Sequence, residues 1–559
     1  MMDTRRIPFA LLAAAFLLTG CRESNSAESA PPDQPPATPA ALPTTARVHW
    51  LGIKRLSGDT NAASLMTIWN LPESRKLEQQ TLDKLSLAPW PVLHRNPDTN
   101  AAAFLRPLLD DLVANESYWE IRQTTNQLGE LALAIRLDDR RAALWQTNLA
   151  RVLESLTGIP PAPAPDHRYG WSLKKHHDPN FLELARARGW TILGAAEDHN
   201  ELVAELKSRI QRGQVPLPTG NTNDWLAADF DPARLAAVLS LSARRGEIPS
   251  LAGAGVGGST PRRDEAERRR LNRFYLAVTG DGTNVLCQGT VGFSRPLALE
   301  LQPWNIPTNL MDQQLSSFTL IRGFKAWLES APAWTRLQIG PPPDQACFWA
   351  LWGLPMQNYF TAPLPGASNE VGQFTDWALQ NQGRWLATND QARFERSTTF
   401  NGLEWKGLPL LSPFLRSITV GNQSFLYGGG FPNAVGQPLS LKSVQNDLSR
   451  TNLVYHDWEL TGLRTRQWLD AGQIVRFLLH KATLPSNSTG YIWLKAIPPG
   501  LGASVTDITQ TGPNQLYFNR QSTLGFTGIE LNLLADWLES PQFPRGLYSL
   551  LTPPPPQSQ

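Results

Sequence analysis

The sequence predicts a mixed α+β protein, built as a tandem duplication of a unit that combines strand–helix repeats with an antiparallel sheet. Three observations support this fold class. Short apolar segments precede amphipathic helical segments, one later region has the period of two that is typical of strands, and similar segments occur in both halves. Of the 559 residues, 41% are hydrophobic and 18% charged, a globular balance. The length exceeds a single domain of roughly 150 residues.

The strand–helix repeats begin at the start of the folded sequence. Residues 47–53 predict a strand and residues 61–69 a helix. Residues 131–137 are almost uniformly apolar and predict a buried strand, whereas residues 139–156 place their large apolar side chains on one helical face that ends at Gly158. The same order recurs at residues 190–213 and 225–241.

The later region predicts an antiparallel meander. Phe274, Leu276 and Val278 follow one another at a period of two, Asp281 and Gly282 offer a turn, and residues 285–293 alternate again. Two strands joined by a tight turn pair antiparallel.

A long loop is predicted before this meander. Residues 246–270 are first glycine-rich and then densely charged, without periodicity, which is typical of a mobile loop. Residues 253–258 match the pattern G-x-G-x-x-G, but a phosphate-binding loop needs a strand before it and a helix after it. Neither is predicted here, so we interpret the glycines as part of the loop.

The two halves contain similar segments. Residues 224–230 precede a predicted helix and resemble residues 457–462, which precede another. Strands are predicted to follow at residues 491–496 and 515–518 in the second half. The last helix starts with a capping box of Thr527 and Glu530. The predicted organisation is a first half at residues 47–310, a related second half at 311–552 and a disordered tail at 553–559.

The N-terminus has the features of an export signal. Arg5 and Arg6 precede an apolar stretch at residues 7–18, which is shorter than the ~20 residues of a membrane-spanning helix. The stretch ends in Leu18-Thr19-Gly20-Cys21, which resembles the lipobox of bacterial lipoproteins. An ordinary signal peptide that happens to contain Cys21 is the alternative.

This resemblance implies a signal peptide at residues 1–20 and a lipid-modified, membrane-anchored Cys21 that carries diacylglycerol and palmitate. Arg22 is not the aspartate that retains such lipoproteins in the inner membrane, so the resemblance implies the outer membrane, facing the periplasm or the cell surface. Residues 21–46 are rich in proline, alanine and serine and predict a tether. An extended proline-rich chain of this length reaches up to ~75 Å.

The charge balance argues against one class of partner. The chain has 51 basic and 49 acidic side chains, a net charge of +2, and its densest basic run, residues 262–270, is interleaved with acids. Binding to nucleic acid requires clustered lysine and arginine. We therefore predict no nucleic-acid partner, a membrane contact through Cys21, and an envelope ligand or protein as the further partner.

No metal, cofactor or catalytic group is predicted. His176, His177 and His199 are the weak candidates for metal ligands, but their spacing fits no recognised metal site and a surface turn explains it. No G-x-S-x-G nucleophile motif occurs. Cys287 and Cys347 lie in apolar segments without a basic neighbour and predict buried thiols, and whether they pair stays open.

Tryptophan is the most unusual feature of the composition, with 20 residues. Most lie on periodic apolar faces and predict core packing. One cluster near Gly353 is the candidate for exposed rings that stack on a ligand, and it comprises Trp327, Trp334, Trp349 and Trp352.

Function is predicted only in outline. Residues 301–324 resemble segments of exported bacterial proteins that have no assigned activity, which implies membership of an uncharacterised family. The anchor, the tether and the lack of a catalytic motif favour a non-catalytic ligand-binding, partner-binding or scaffold protein of the cell envelope. The alternative is an exported hydrolase that acts on envelope polymers or carbohydrate, because paired carboxylates can meet from distant positions.

Overall fold

The computed structural model contains two compact units. It describes residues 44–93, 95–122, 129–164, 169–174, 180–197, 200–214, 223–232, 234, 271–311, 314–329, 331, 334, 340–385, 393–408, 411–431, 448–478, 484–541 and 543–544. The first unit consists of the described residues within 1–295, 486–493 and 535–552, and the second of those within 296–485 and 494–534. The predicted boundary at residue 310 thus lies 15 residues after the observed division at residue 295, and two C-terminal segments return to the first unit.

The first unit has an antiparallel sheet in the order β10-β9-β8-β1-β2-β3-β7-β6-β5-β4. Its strands are β1 (Thr44–Trp50), β2 (Ser117–Arg122), β3 (Glu130–Arg136), β4 (Ala162–Pro163), β5 (Trp171–Lys174), β6 (Asn180–Ala187), β7 (Trp190–Glu197), β8 (Leu226–Phe230), β9 (Leu271–Gly280) and β10 (Val285–Phe293).

Helices cover both faces of this sheet. The helices are α1 (Ile53–Leu56), α2 (Ala63–Trp69), α3 (Pro72–Leu87), α4 (Pro89–Val92), α5 (Thr99–Ala114), α6 (Asp139–Thr157) and α7 (Glu201–Gln211). Side chains alternate between the faces of a strand. The face of Ala46 and Leu133, called the first face, packs with α5 and α6, and the second face packs with α7 through Leu202 and Leu206.

The second unit has an antiparallel sheet in the order β20-β19-β18-β11-β12-β13-β17-β16-β15-β14. Its strands are β11 (Leu315–Arg322), β12 (Gln345–Leu351), β13 (Asn358–Pro363), β14 (Arg393–Arg396), β15 (Gly402–Lys406), β16 (Phe414–Val420), β17 (Gln423–Gly429), β18 (Leu453–Leu460), β19 (Ala503–Gly512) and β20 (Gln515–Ser522). The remaining helices are α8 (Lys325–Glu329), α9 (Ala367–Trp385), α10 (Thr461–Leu478), α11 (Thr489–Ala496) and α12 (Gly528–Leu538).

The two sheets have the same strand order, each strand of the second unit taking the place of the strand numbered ten lower. Local details agree as well. The pairing of the central two strands is interrupted at Thr45 in one unit and at Ser316 in the other. A glycine with positive φ, Gly52 or Gly323, follows the first strand, and the helix after the third strand has 19 residues in both units.

The main elements confirm the mixed α and β class. Helix α6 lies where the sequence predicts it, because Asp138 accepts a 2.7 Å hydrogen bond from the amide of Arg141 at its start. The capping box is also confirmed, since the amide of Thr527 donates to Glu530 at 2.8 Å. The predicted strand at residues 491–496 is wrong, because this segment belongs to α11. The predicted loop at 246–270 lies outside the described residues.

The glycine after β1 allows a direct test of the packing. Gly52 has φ +89° and ψ 140°, and an added Cβ would lie 2.6 Å from the backbone carbon of Asn115. At Gly323, φ is +81° and the nearest atom, 3.1 Å away, belongs to the movable side chain of Leu301. We expect Gly52→Ala to lower the free energy of unfolding by about 3 kcal/mol or more, and Gly323→Ala by about 1–2 kcal/mol. Urea denaturation compares the two variants, and equal losses would contradict this packing.

Candidate functional site

Residues of the two sheets can be matched through their partners on neighbouring strands. Ala46 pairs with Phe230 in the first unit, and Ser317 pairs with Glu459 at the same place in the second. Both pairs directly follow the interruption in the central strands. Both sheets share the strand order and the interruption. The same match therefore applies to neighbouring residues of β1, β8, β9 and β10, which correspond to β11, β18, β19 and β20.

The match shows a reversal of polarity on the first face. Eight neighbouring positions that are apolar or glycine in the first unit are all polar or charged in the second. In the first unit they are Ala46, Val48, Ala228, Phe230, Phe274, Leu276, Gly289 and Val291. In the second unit they are Ser317, Thr319, Asp457, Glu459, Ser504, Thr506, Arg520 and Ser522, which we call the polar patch.

Most of the polar patch is buried, and only Thr319 and Arg520 are half-buried. Burying a polar or charged group costs free energy unless it is well hydrogen-bonded. The first unit forms the same sheet with apolar side chains at these positions, including the Phe230–Phe274 ring pair at 4.8 Å. The sheet therefore folds without polar groups here, which points to a role in function.

The patch has two rows that cross the strands. The outer row continues from the aromatic pair Phe360 and Phe348 and comprises Thr319, Asp457, Thr506 and Arg520. The inner row comprises Ser317, Glu459, Ser504 and Ser522.

Hydrogen bonds fix the polar side chains of the outer row. The Thr319 hydroxyl donates to Asp457 Oδ1 at 2.5 Å, and Arg520 Nε donates to the Thr506 hydroxyl at 2.9 Å. The Arg520 guanidinium also binds both carboxylate oxygens of Glu530 in α12, at 2.6 and 3.1 Å. Burial raises the pKa of Asp457 above its ordinary value. The row thus holds a buried carboxyl group and a half-buried guanidinium in fixed positions on one face of the sheet.

The aromatic end of the outer row is open. Phe348 is 44% exposed, and its ring lies 6.2 Å from that of Phe360. An added Cβ on Gly428 would lie 2.6 Å from the Phe360 ring, so a glycine is needed for this ring to lie against β17. Trp352 and Leu354 follow β12 and are also exposed. Because Phe348 pairs with Thr319, an exposed aromatic ring lies next to the polar patch.

The inner row surrounds the carboxyl group of Glu459. Its Oε1 atom accepts a 2.7 Å hydrogen bond from the amide of Gly528 at the start of α12. Burial, reinforced by the nearby carboxyl of Asp457, raises the pKa of Glu459 to about 7. Arg464 of α10 is also buried, donates to Gln467 Oε1 at 2.7 Å and lies over the Trp468 ring at 4.8 Å.

The second face shows the opposite reversal. There the first unit has Arg47, His49, Tyr118, Glu120 and Arg122 where the second has Phe318, Leu320, Cys347, Trp349 and Leu351. Glu120 is fully buried and accepts from the Tyr118 hydroxyl at 2.5 Å and from Arg122 Nε at 2.9 Å. Arg122 in turn binds Glu205 of α7 at 2.5 Å. This ion-pair network attaches α7 to the sheet, so we assign it a structural role.

The four candidate tryptophans do not form one platform. Trp327 in α8 is 60% exposed and follows the end of β11, whereas Trp352 is 48% exposed and hydrogen-bonds Gln314 just before the start of β11. Trp349 is 2% exposed and stacks on Tyr427 at 5.9 Å in the core of the second face. Trp334 is half-buried and donates to the carbonyl of Gly340 at 3.1 Å.

The other candidates add no site among the described residues. His176, His177 and His199 lie outside the described residues. Within the part of the chain that the structure describes, no three acidic, histidine or cysteine side chains form a metal cluster. Neither Cys287 nor Cys347 is in a disulfide, and burial raises the pKa of the Cys347 thiol.

The geometry of the site is the evidence on function, because comparison with known proteins adds none. No protein-family model, no curated protein and no solved structure matches this chain. Across the described residues, every helix is too short or too polar to cross a membrane.

The sequence reasoning missed the polar patch. Its only signal is an alternation of polar and apolar residues around Thr319, Asp457 and Thr506. Alternation predicts that one face of each strand is polar. It does not say that these three faces meet, since the strands are far apart in the chain.

Proposed function

We propose that the protein is an exported lipoprotein, anchored in the outer membrane by lipid on Cys21 and facing the periplasm or the cell surface. The support comes from the sequence. Arg5 and Arg6, the apolar stretch at residues 7–18 and Leu18-Thr19-Gly20-Cys21 occur in the order of a lipoprotein signal. The proline-rich residues 22–46 suit a tether between membrane and folded units.

The anchor predicts the effect of one substitution. Cys21→Ser removes the thiol that would receive the lipid, so the protein should lose incorporation of radiolabelled palmitate and leave the membrane fraction or remain uncleaved. Cys287→Ser is the control and should keep both label and location. Palmitate labelling of the Cys21→Ser variant equal to that of the wild type would contradict the anchor.

The two units, we further propose, arose by tandem duplication. The shared strand order, the matched interruption at Thr45 and Ser316, and the matched glycines Gly52 and Gly323 support it. Each unit combines strand–helix connections with an antiparallel sheet. The reversal of polarity on both faces then records divergence of the two copies.

The second unit is proposed to bind an envelope ligand, whereas the first serves as scaffold. The single observation that carries this is the polar patch, where eight polar side chains replace apolar residues or glycine of the matched sheet. Ligand sites commonly combine apolar and aromatic rings with a few fixed polar groups. Phe348, Asp457 and Arg520 supply these groups in the outer row. Their combination suits a glycan, whose C–H faces stack on aromatic rings and whose hydroxyls bind carboxyl and guanidinium groups.

Binding to insoluble peptidoglycan tests this function. The purified full-length protein should co-sediment with peptidoglycan, and Phe348→Ala and Asp457→Asn should each weaken binding about ten-fold. Trp327→Ala changes an exposed ring at the other end of β11 and is the matched control. Co-sedimentation that both outer-row variants leave unchanged would contradict the assignment.

A second candidate function is hydrolysis of the same polymer. Asp457 and Glu459 are two residues apart on one face of β18, which places their Cα atoms about 7 Å apart. Burial raises the pKa of both carboxyl groups, as in general acids. Most glycosidases use a pair of carboxyl groups that flank the scissile bond. Release of soluble reducing sugar by the wild type, but not by Asp457→Asn, would favour the enzyme over the binding protein.

A further inference from the structure

We propose that the inner row of the polar patch is a binding site for a monovalent metal cation, centred on Glu459. This site does not depend on the proposed binding function, because the inner row lies beneath α10 and α12 whereas the outer row carries the glycan proposal.

Three buried hydroxyl groups belong to residues close to Glu459 in the sheet or in the chain. Ser504 lies directly opposite Glu459 on β19, and Ser522 lies on the next strand. Thr461 begins α10 two residues after Glu459. The hydroxyls of Ser504 and Ser522 are buried and have no hydrogen-bond partner, whereas the hydroxyl of Thr461 lies within hydrogen-bonding reach of the Glu459 carboxyl. Buried polar atoms are nearly always satisfied, so two unpartnered hydroxyls on the strands next to one buried carboxyl indicate a bound species.

The chemistry of these atoms suits a hard cation. Hydroxyl and carboxylate oxygens are ligands of alkali and alkaline-earth ions. Glu459 Oε1 is occupied by the Gly528 amide, so Glu459 Oε2 and the three hydroxyls remain as ligands. One carboxylate with three neutral oxygens is a weakly charged ligand set.

The charge of the surroundings selects a monovalent ion. Arg520 and Glu530 neutralise each other, and Tyr455 is kept neutral because burial raises its pKa. The charges that remain to be balanced are those of the Asp457 and Glu459 carboxyl groups and of the Arg464 guanidinium. None of the three is in an ion pair within 4.0 Å among the described residues. With both acids ionised the net charge is −1, which a proton or a monovalent cation neutralises and a divalent cation exceeds.

The first unit provides an internal comparison. The positions that match Glu459, Ser504 and Ser522 are Phe230, Phe274 and Val291, whose side chains have no oxygen. The site therefore belongs to the second unit alone, and one site per chain is expected.

Thermal unfolding of the purified full-length protein tests the proposal. At equal ionic strength and pH 8, NaCl or KCl should raise the midpoint of the second unit relative to choline chloride. A double Ser504→Ala/Ser522→Ala variant should bind the ion at least about ten-fold more weakly. Thr419→Ala, at an exposed hydroxyl of β16, is the control.

Two results would overturn the site. The first is equal midpoints for the wild type in sodium, potassium and choline salts. The second is an undiminished sodium or potassium effect in the double variant. If the double variant does not fold, ²³Na NMR line broadening is measured instead with the wild type and with Glu459→Gln. Absence of broadening with both proteins would overturn the proposal. Peptidoglycan co-sedimentation measured in choline buffer separates this outcome from failure of the proposed function.

Discussion

Glu120→Ala is expected to destabilise the first unit by about 3–5 kcal/mol, because it leaves the buried guanidinium of Arg122 without a main partner. Glu120 is fully buried and holds the Tyr118 hydroxyl and Arg122. Arg122 also binds α7 through Glu205, so loss of the carboxyl loosens a helix as well as an ion pair. Urea denaturation monitored by tryptophan fluorescence measures the loss.

Two further variants show whether the effect comes from an unpaired charge. Glu154→Ala removes an exposed acid from α6 and should change stability by less than about 0.5 kcal/mol. Glu120→Leu with Arg122→Leu removes both charges and should cost less than Glu120→Ala alone. If the double variant is the less stable, the network contributes more than charge pairing and this account of it is wrong.

The stability of the second unit is expected to fall as the pH rises from about 4.5 to above 7. Glu459 has a pKa of about 7 in the folded protein, above its ordinary value of 4.5. The folded state therefore binds more protons than the unfolded state in this interval, and its stability is full below pH 4.5 and is lost as the pH rises through 7. The full effect is about 3 kcal/mol at pH 8.

Glu459→Gln should remove this contribution and make the second unit more stable than the wild type at pH 8. Glutamine can still accept the hydrogen bond from Gly528, so the start of α12 keeps its partner. Urea unfolding in choline buffer at pH 5.5 and pH 8 measures the slope. Asp376→Asn changes an exposed carboxyl and should keep the wild-type slope. An unchanged slope in Glu459→Gln would show that Glu459 is ionised in the folded state at neutral pH.

Local signals predicted the fold where the chain itself specifies structure. Helix α6 has an Asp138 cap, an apolar face and Gly158 in the left-handed region at its end, and all three can be read from sequence. Residues 491–496 lack such signals. Their tyrosine, isoleucine and tryptophan favour a strand, but tertiary contacts such as Trp493 Nε1 with Ser74 accompany a helix.

The proposed duplication has a signal in the sequence only at the level of whole segments. The two segments overlap β8 at residues 226–230 and β18 at residues 457–460, and these strands occupy the same place in their sheets. The shared Asp-Trp pairs suggest matching Asp224 with Asp457, but strand pairing matches Phe230 with Glu459. These matches differ by four residues because a two-residue coincidence cannot set register, whereas hydrogen bonding to β1 and β11 does.

The site could not be predicted because it depends on which face of each strand is covered. Phe348 and Trp349 are neighbours with similar chemistry, yet Phe348 is exposed and Trp349 is buried. Alternation along β12 separates them, and only the packing of the second face against Phe318 and Tyr427 decides which ring is inside.

The central claim is that the polar patch of the second unit serves binding and not folding. A triple variant, Thr319→Val, Asp457→Ala and Thr506→Leu, gives the outer row the residues Val48, Ala228 and Leu276 of the first unit. Urea denaturation and peptidoglycan co-sedimentation of this full-length variant form the most direct measurement. We predict a protein at least as stable as the wild type that no longer binds the polymer. A folded variant that binds peptidoglycan as tightly as the wild type would contradict the claim.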